Sequence, residues 1–147
     1  MMELINRYIS SQYELKDRFE AGIILTGSEV KSCKMKSINF KGAYCSYKSG
    51  DLYIKNLYIA PYKPARREQD SYDPYRPRKL LLHKKELLEI EMRVKTPGNT
   101  VVPFRLYSKH GLVKLEIAVA QGLKKYDKRE KIKKRDITRQ LQSKNWD

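Results

Sequence analysis

Val113, Leu115, Ile117 and Val119 alternate with polar or small residues between Leu112 and Ala120. A period of two sends every second side chain to one face, so this stretch reads as a strand with one buried side. Such a strand needs partners. Thr100 to Tyr107 supplies one, joined through the turn Ser108-Lys109-His110-Gly111. Pro103 has no N–H to give to a ladder, so it belongs at an edge or a bulge.

Further strands follow the same logic. Tyr13, Leu15, Asp17 and Phe19 alternate with polar neighbours and lead through Gly22 to Ile23-Ile24-Leu25. Gly22 inside that pattern predicts a bulge or a sharp bend. Tyr44 to Lys48 and Leu52 to Ile59 form a second hairpin around Ser49-Gly50-Asp51. Residues 1 to 11 read as a short polar arm. Gly27 to Lys34 reads as a short helix with Ser28 as N-cap, Val30 and Cys33 facing inward. Lys79 to Lys95 reads as the longest helix, with an apolar face of Leu80, Leu81, Leu87, Leu88, Ile90 and Val94, stopped at Thr96-Pro97-Gly98. Pro61 to Arg78, with four prolines, reads as a surface loop. Five or six antiparallel strands with two or three flanking helices predict a mainly β chain, a closed OB-like antiparallel barrel. An open α+β sheet is the alternative.

The chain of 147 residues is long enough for one core. Its formal net charge of +15 points to a polyanionic partner. The charge is concentrated at the end. Residues 121–147 hold ten Lys/Arg against four Asp/Glu, a net of +6. This divides the chain into a body, 1–120, and a basic C-terminal tail, 121–147. In the tail Asp127 is placed to cap a helix, with Glu130 as its capping-box partner. Ile132, Ile137 and Leu141 make a poor apolar stripe, so the tail is expected to be disordered alone and helical on a partner.

Catalytic and metal signatures are sparse. Cys33 and Cys45 have no Cys-x-x-Cys or nearby His, which points to reduced thiols in a cytosolic protein and to no zinc site. No apolar run approaches the length of a membrane span, and the first residues lack the order of a signal peptide. His83 and His110 stand without triad partners and read as ordinary histidines. One enzymatic alternative is a Mg²⁺-dependent nuclease using Asp17, Glu29 and Lys31. Another alternative is a structural ribosomal protein. RNA binding is better supported, since Tyr44, Tyr47, Tyr53, Tyr58 and Tyr62 interleave with Lys48, Lys55 and Lys63. About half of these rings are expected in the core, because strands favour Tyr anyway.

Phe19-Glu20-Ala21-Gly22, Gly27-x-Glu29-Val30-Lys31-Ser32, Asn39, Arg78 to Lys84, Gly111 with Val113-Lys114, and Gly122-x-Lys124-x-x-Asp127-Lys128-Arg129 fall in order along the chain. In these stretches the sequence resembles the small protein B family, bacterial proteins that bind transfer-messenger RNA (SsrA RNA) in trans-translation. The resemblance implies an OB-type barrel that binds the tRNA-like domain of that RNA and accompanies it to stalled ribosomes. It implies no cofactor and no catalysis. Elongation factor Tu would be met only indirectly, through the RNA, by a cytoplasmic monomer away from membranes. It places RNA contacts on Asn6, Glu20 and Leu81, with Lys31 and Lys34 on the phosphate backbone. It sends the tail into the vacant mRNA channel and decoding centre through Gly122, Lys124, Tyr126, Asp127, Lys128 and Arg129, with Lys131, Lys133, Lys134 and Arg135 following. The chain departs from the family pattern at Leu123, where Lys is expected, at Pro77, where Thr is usual, and at Lys34, which replaces Arg.

Overall fold

A computed structural model describes residues 2–62 and 71–123. Nine strands and two helices lie in this part. The strands are β1 (Glu3–Ile5), β2 (Tyr13–Ile23), β3 (Ile38–Asn39), β4 (Tyr44–Lys48), β5 (Asp51–Lys55), β6 (Tyr58–Ile59), β7 (Arg78–Leu81), β8 (Asn99–Lys109) and β9 (Leu112–Gly122). The helices are α1 (Gly27–Lys34) and α2 (Lys84–Val94).

Pairing runs β8-β4-β5-β7-β2-β9 and returns from β9 to β8, so six antiparallel strands close a ring. This is the closed OB-like arrangement predicted from the strand pattern. β1 extends it on the free part of β8, and β3 with β6 makes a small separate ribbon. Inward positions alternate as read: Val113, Leu115, Ile117 and Val119 of β9 meet Leu52 and Ile54 of β5 in the core. Both hairpins turn on two residues with positive φ, Ser49-Gly50 (53° and 82°) and His110-Gly111 (52° and 76°). That backbone twist matches the twist of the strands it joins.

Several expectations need correction. The N-terminal arm is not a free polar arm. Its Glu3, Leu4 and Ile5 pair with Tyr107, Leu106 and Arg105, and Met2 and Ile9 are buried. The bulge in β2 lies at Lys16, where the register with β9 slips between Leu15 and Asp17, and not at Gly22. Gly22 instead pairs with Lys114 on one side and Leu81 on the other. A Cβ there would come within 3.3 Å of the Leu81 Cβ, so glycine permits the close approach of β7. Pro103 does sit at a bulge, next to Phe104.

α1 is capped by Thr26 rather than Ser28. The Thr26 Oγ1 accepts from the Glu29 amide at 3.2 Å, and a Glu29 carboxylate oxygen accepts from the Thr26 amide at 3.0 Å. This reciprocal pair needs Thr and Glu three residues apart, which Thr26 has and Ser28 lacks. The helix read from Lys79 begins only at Lys84. Arg78 to Leu81 alternates buried and exposed because it is a strand wedged between β2 and β5, with two residue pairs on each side. Tertiary pairing overrides the helical propensity of its leucines.

The end of the segment read as a surface loop turns inward. Arg78 is fully buried, as is the Glu29 side chain. Arg78 Nε donates to a Glu29 oxygen at 2.8 Å, one terminal amino group donates to the Leu57 carbonyl at 2.6 Å, and the other to the Tyr72 hydroxyl at 2.9 Å. Arg76 donates to the other Glu29 oxygen. Burial pushes the Glu29 carboxyl up, but the Arg76 hydrogen bond, the Thr26 amide and the Arg78 charge outweigh it and hold it below its ordinary value near 4.5.

Removing the charge in Glu29→Gln leaves Arg78 buried without its counter-ion, at an expected cost of about 3–5 kcal/mol in unfolding free energy. A urea titration measures this. A carboxyl depressed in the fold stabilises above its ordinary range and loses that contribution as pH falls through the folded value. The native protein therefore loses stability on acidification below about 4.5, the ordinary Glu29 value. Glu29→Gln is expected to flatten that dependence.

Candidate nucleic-acid interface

One outer face of the ring is built from alternating positions of four neighbouring strands: Glu3 and Ile5 of β1, Arg105, Tyr107 and Lys109 of β8, Lys114 and Glu116 of β9, and Arg18 and Glu20 of β2. Register places Glu20 directly opposite Glu116, a like-charge pair that repels. The surrounding cations resolve this. Arg105 Nε donates to Glu116 at 3.0 Å and also reaches Glu3 at 3.4 Å, and Arg18 lies 3.7 Å from Glu116. The Glu116 hydrogen bond raises the Arg105 pKa further. Arg18 and Arg105 also lie over the rings of Phe104 and Tyr107, each 4.2 Å from the centroid.

Glu20 has its own support. The Tyr107 hydroxyl donates to its carboxylate, and Lys109 Nζ lies 3.4 Å away. The Tyr107 hydrogen bond, followed by the Lys109 and Lys114 charges, outweighs desolvation and holds the Glu20 carboxyl below its ordinary value. Tyr107 is correspondingly pushed up by burial and by Glu20. Glu20 is thus an ionised, oriented acceptor on the surface of a cationic protein.

Beside it, Gly22 lets β7 approach, and the Leu81 side chain stands 53% exposed. Glu20, Gly22, Leu81, Leu82, His83, Glu86 and Lys114 line a recess of about 340 Å³. Its chemistry is specific: an acceptor-only carboxylate, an apolar wall and a lysine. A ligand there must bring donors for Glu20, a flat or apolar surface for Leu81 and an anion for Lys114.

The structure thus brings together two of the sequence-predicted residues, Glu20 and Leu81, from positions 61 apart in the numbering. Asn6 is elsewhere and internal, only 2% exposed. Its Nδ2 donates to the Pro103 carbonyl at 2.8 Å, and its Oδ1 accepts from the Tyr8 amide at 3.0 Å. Asn6 therefore anchors the arm at the β8 bulge. Lys31 and Lys34 are exposed on α1. Lys31 Nζ lies 5.2 Å from the Tyr62 ring centroid, beside a second recess of about 460 Å³ that Thr26, Ala60 and Tyr72 also line. Gly122 ends β9, its amide donating to the Gly98 carbonyl at 3.2 Å. Lys124, Tyr126, Asp127, Lys128, Arg129, Lys131, Lys133, Lys134 and Arg135 lie outside the described residues.

Tyr107 and Lys109, which set the state of Glu20, carry no sequence signal of that role, since only the pairing of β8 with β9 and of β9 with β2 brings them near. Lys114 was legible as an outward position of the alternating strand. Of the interleaved tyrosines, Tyr47 belongs to the core side, donating to the Leu87 carbonyl at 2.6 Å, with its pKa pushed up to about 12 by burial. Tyr44 is exposed, and Tyr58 packs on Tyr75 with ring centroids 5.3 Å apart.

The nuclease arrangement is not assembled. Both Glu29 oxygens face guanidinium groups in the interior, and Asp17 pairs with Arg93 of α2. Metal catalysis needs carboxylate oxygens open to the ion, and these face cations instead. Among the described residues no group of three His, Cys, Asp or Glu gathers that could hold a metal.

Known proteins resemble this chain over almost all of its length. The family model described as SmpB protein matches residues 4–146. An SsrA-binding protein of Persephonella marina is 48% identical over 139 residues, covering 95% of this chain and 90% of its own. An SsrA-binding protein of Staphylococcus carnosus is 43% identical over 137 residues, covering 93% and 86%. A solved structure described as "tmRNA-SmpB: a journey to the center of the bacterial ribosome" superposes with a TM-score of 0.69 at 39% identity, covering 90% of this chain and 95% of the other. With the match running from β1 through all but the last residue of the tail, the chain belongs to the SmpB protein family.

Proposed function

We propose that this protein binds the tRNA-like domain of transfer-messenger RNA (SsrA RNA) and delivers it to stalled ribosomes for trans-translation. The observation that carries the reading is the Glu20–Leu81 recess. A carboxylate on a surface that binds a polyanion is unfavourable unless it accepts from base or sugar donors. Tyr107 and Lys109 hold Glu20 ionised and aimed for that task. Leu81 supplies an apolar wall, and Lys114 stands ready for a phosphate. Contacts of this kind read shape and donors, while lysines set orientation through the backbone.

The tail has the second role. From Gly122 its cations follow the RNA of the small subunit into the vacant mRNA channel. Lys124, Lys128, Arg129, Lys131, Lys133, Lys134 and Arg135 neutralise phosphates there. Tyr126 stacks at the decoding centre, and Asp127 caps the helix that forms. The body of residues 1–120 and the tail of residues 121–147 are in this reading two binding modules on one chain. Lys31 and Lys34 contact the RNA backbone, and Asn6 acts through the arm it holds in place. The protein works as a cytoplasmic monomer without catalysis of its own. It meets elongation factor Tu only through the RNA. Among the described residues no helix is long and apolar enough to cross a membrane.

Three outcomes test this reading. Truncation after Leu123 is expected to leave binding to the tRNA-like RNA nearly intact and to abolish peptide tagging on stalled ribosomes; loss of both together would refute the two-module model. Engagement of ~4–6 phosphates by the body gives a log–log salt slope of about −3 to −5 for RNA binding, and a flat response counts against it. Glu20→Gln keeps the shape but replaces an ionised acceptor by an amide. It is expected to weaken tRNA-like RNA binding by about 10-fold, the size of one charged hydrogen bond, with the unfolding transition unchanged.

A further inference from the structure

Tyr8 and Tyr44 are 46% and 40% exposed, Tyr8 in the arm before β2 and Tyr44 at the start of β4. They stand at a recess of about 190 Å³ whose floor is the buried Ile9, Phe40 and Ala43. Exposed tyrosine rings over an apolar floor make a surface suited to a flat aromatic ligand. Arg7 and Lys41, next in sequence to Tyr8 and Phe40, are exposed, and neither forms an ion pair with another described residue. The recess therefore presents ring faces, and the chain that forms it carries exposed cations at the flanking positions Arg7 and Lys41.

Its position adds a further constraint. The last described residues hydrogen-bond along its lip: Gly122 pairs with Tyr13, and the Leu123 amide donates to the Gln12 carbonyl at 2.9 Å, while Gln12 and Tyr13 line the recess. The chain from Lys124 onward, with its ten Lys/Arg against four Asp/Glu, departs from this point. Lys124 follows Leu123 directly in the chain, so RNA bound at that residue lies beside the recess.

We propose that the Tyr8–Tyr44 recess is a stacking site for one unstacked base, purine in preference to pyrimidine, of the RNA that the tail engages. Single-stranded nucleic acid supplies a π face for the rings and negative charge for a chain of strong positive charge with exposed cations flanking the recess. A purine offers the larger face. This inference rests on the reading above that the partner is RNA.

The test uses the full chain with ¹³C-labelled tyrosine rings, titrated with an oligoadenylate decamer and separately with an oligouridylate decamer. The Tyr8 and Tyr44 ring signals are expected to move with oligoadenylate and less with oligouridylate. Tyr8→Ala and Tyr44→Ala are each expected to weaken oligoadenylate binding by about 10-fold, within the range for one stacked base. Tyr8→Phe, which keeps the ring, preserves it. Both positions are exposed, so melting temperatures stay the same. A shift confined to the Tyr126 ring, with Tyr8 and Tyr44 unmoved, overturns the stacking site and leaves the RNA reading standing. No shift of any tyrosine ring with either RNA overturns both. Ring signals that respond to removal of residues 124–147 but not to RNA show that the tail itself fills the recess, which also overturns the proposal.

Discussion

Arg78 carries a full charge into the interior of the body, and Glu29 makes that tolerable. Neither side chain reaches solvent. Between them they reach four separate pieces of backbone: the start of α1, the Leu57 carbonyl after β5, the segment around Tyr72, and β7, which Arg78 opens. Tyr72 closes the cluster, its hydroxyl 2.9 Å from the Ile59 carbonyl and 3.2 Å from Glu29, and burial pushes its pKa up to about 12. A buried ion pair is weak evidence for net stability, because desolving two charges offsets much of their attraction. Its value here is geometric. β7 is only four residues long and holds β2 to β5 through two residue pairs on each side. The clamp fixes the end of that short strand, and with it the closure of the ring.

The same clamp reaches the surface that carries Glu20 and Leu81. Leu81 is three residues after Arg78 and stands on the outward side of β7. Gly22 of β2 lets Leu81 come close, and Glu20 lies two residues before Gly22 on the same face. So one buried pair positions β7, β7 positions Leu81, and the missing side chain at Gly22 brings the leucine beside the carboxylate. Glu20 is then oriented independently from β8 by Tyr107 and Lys109. The recess thus depends on two supports that approach from opposite sides of β2.

How much of this was legible depended on the range of the interaction. The period-two patterns of β2 and β9, with the turn residues that bound β4, β5 and β8, predicted these strands and the two hairpins, because alternation and turn residues act over a few positions; the strand read through to Ile59 instead ends at Lys55, before the positive φ of Asn56. Leu80 and Leu81 mislead, since a leucine run has high helix propensity and only the pairing with Ile23 and Gly22 makes it a strand. Glu29 was read as a possible metal ligand for a similar reason. Its sequence neighbours say nothing of Arg76 and Arg78, 47 and 49 positions away. The Thr26 cap, by contrast, is local: Thr26 and Glu29 stand three residues apart in the sequence and satisfy each other's amides.

By itself the sequence determined that the chain is a β-rich body followed by a strongly basic tail, since alternation and charge are properties of neighbouring residues. Its motifs, matched in order, also pointed to the family. Only the tertiary structure decided which charges are free to meet a partner. Glu29 and Arg78 look in the sequence like surface groups, yet they cancel each other in the interior. Glu20, opposite another glutamate, remains an available acceptor because cations from β2, β8 and β9 compensate the pair. Electrostatic role follows from distance and burial, and chain folding sets both.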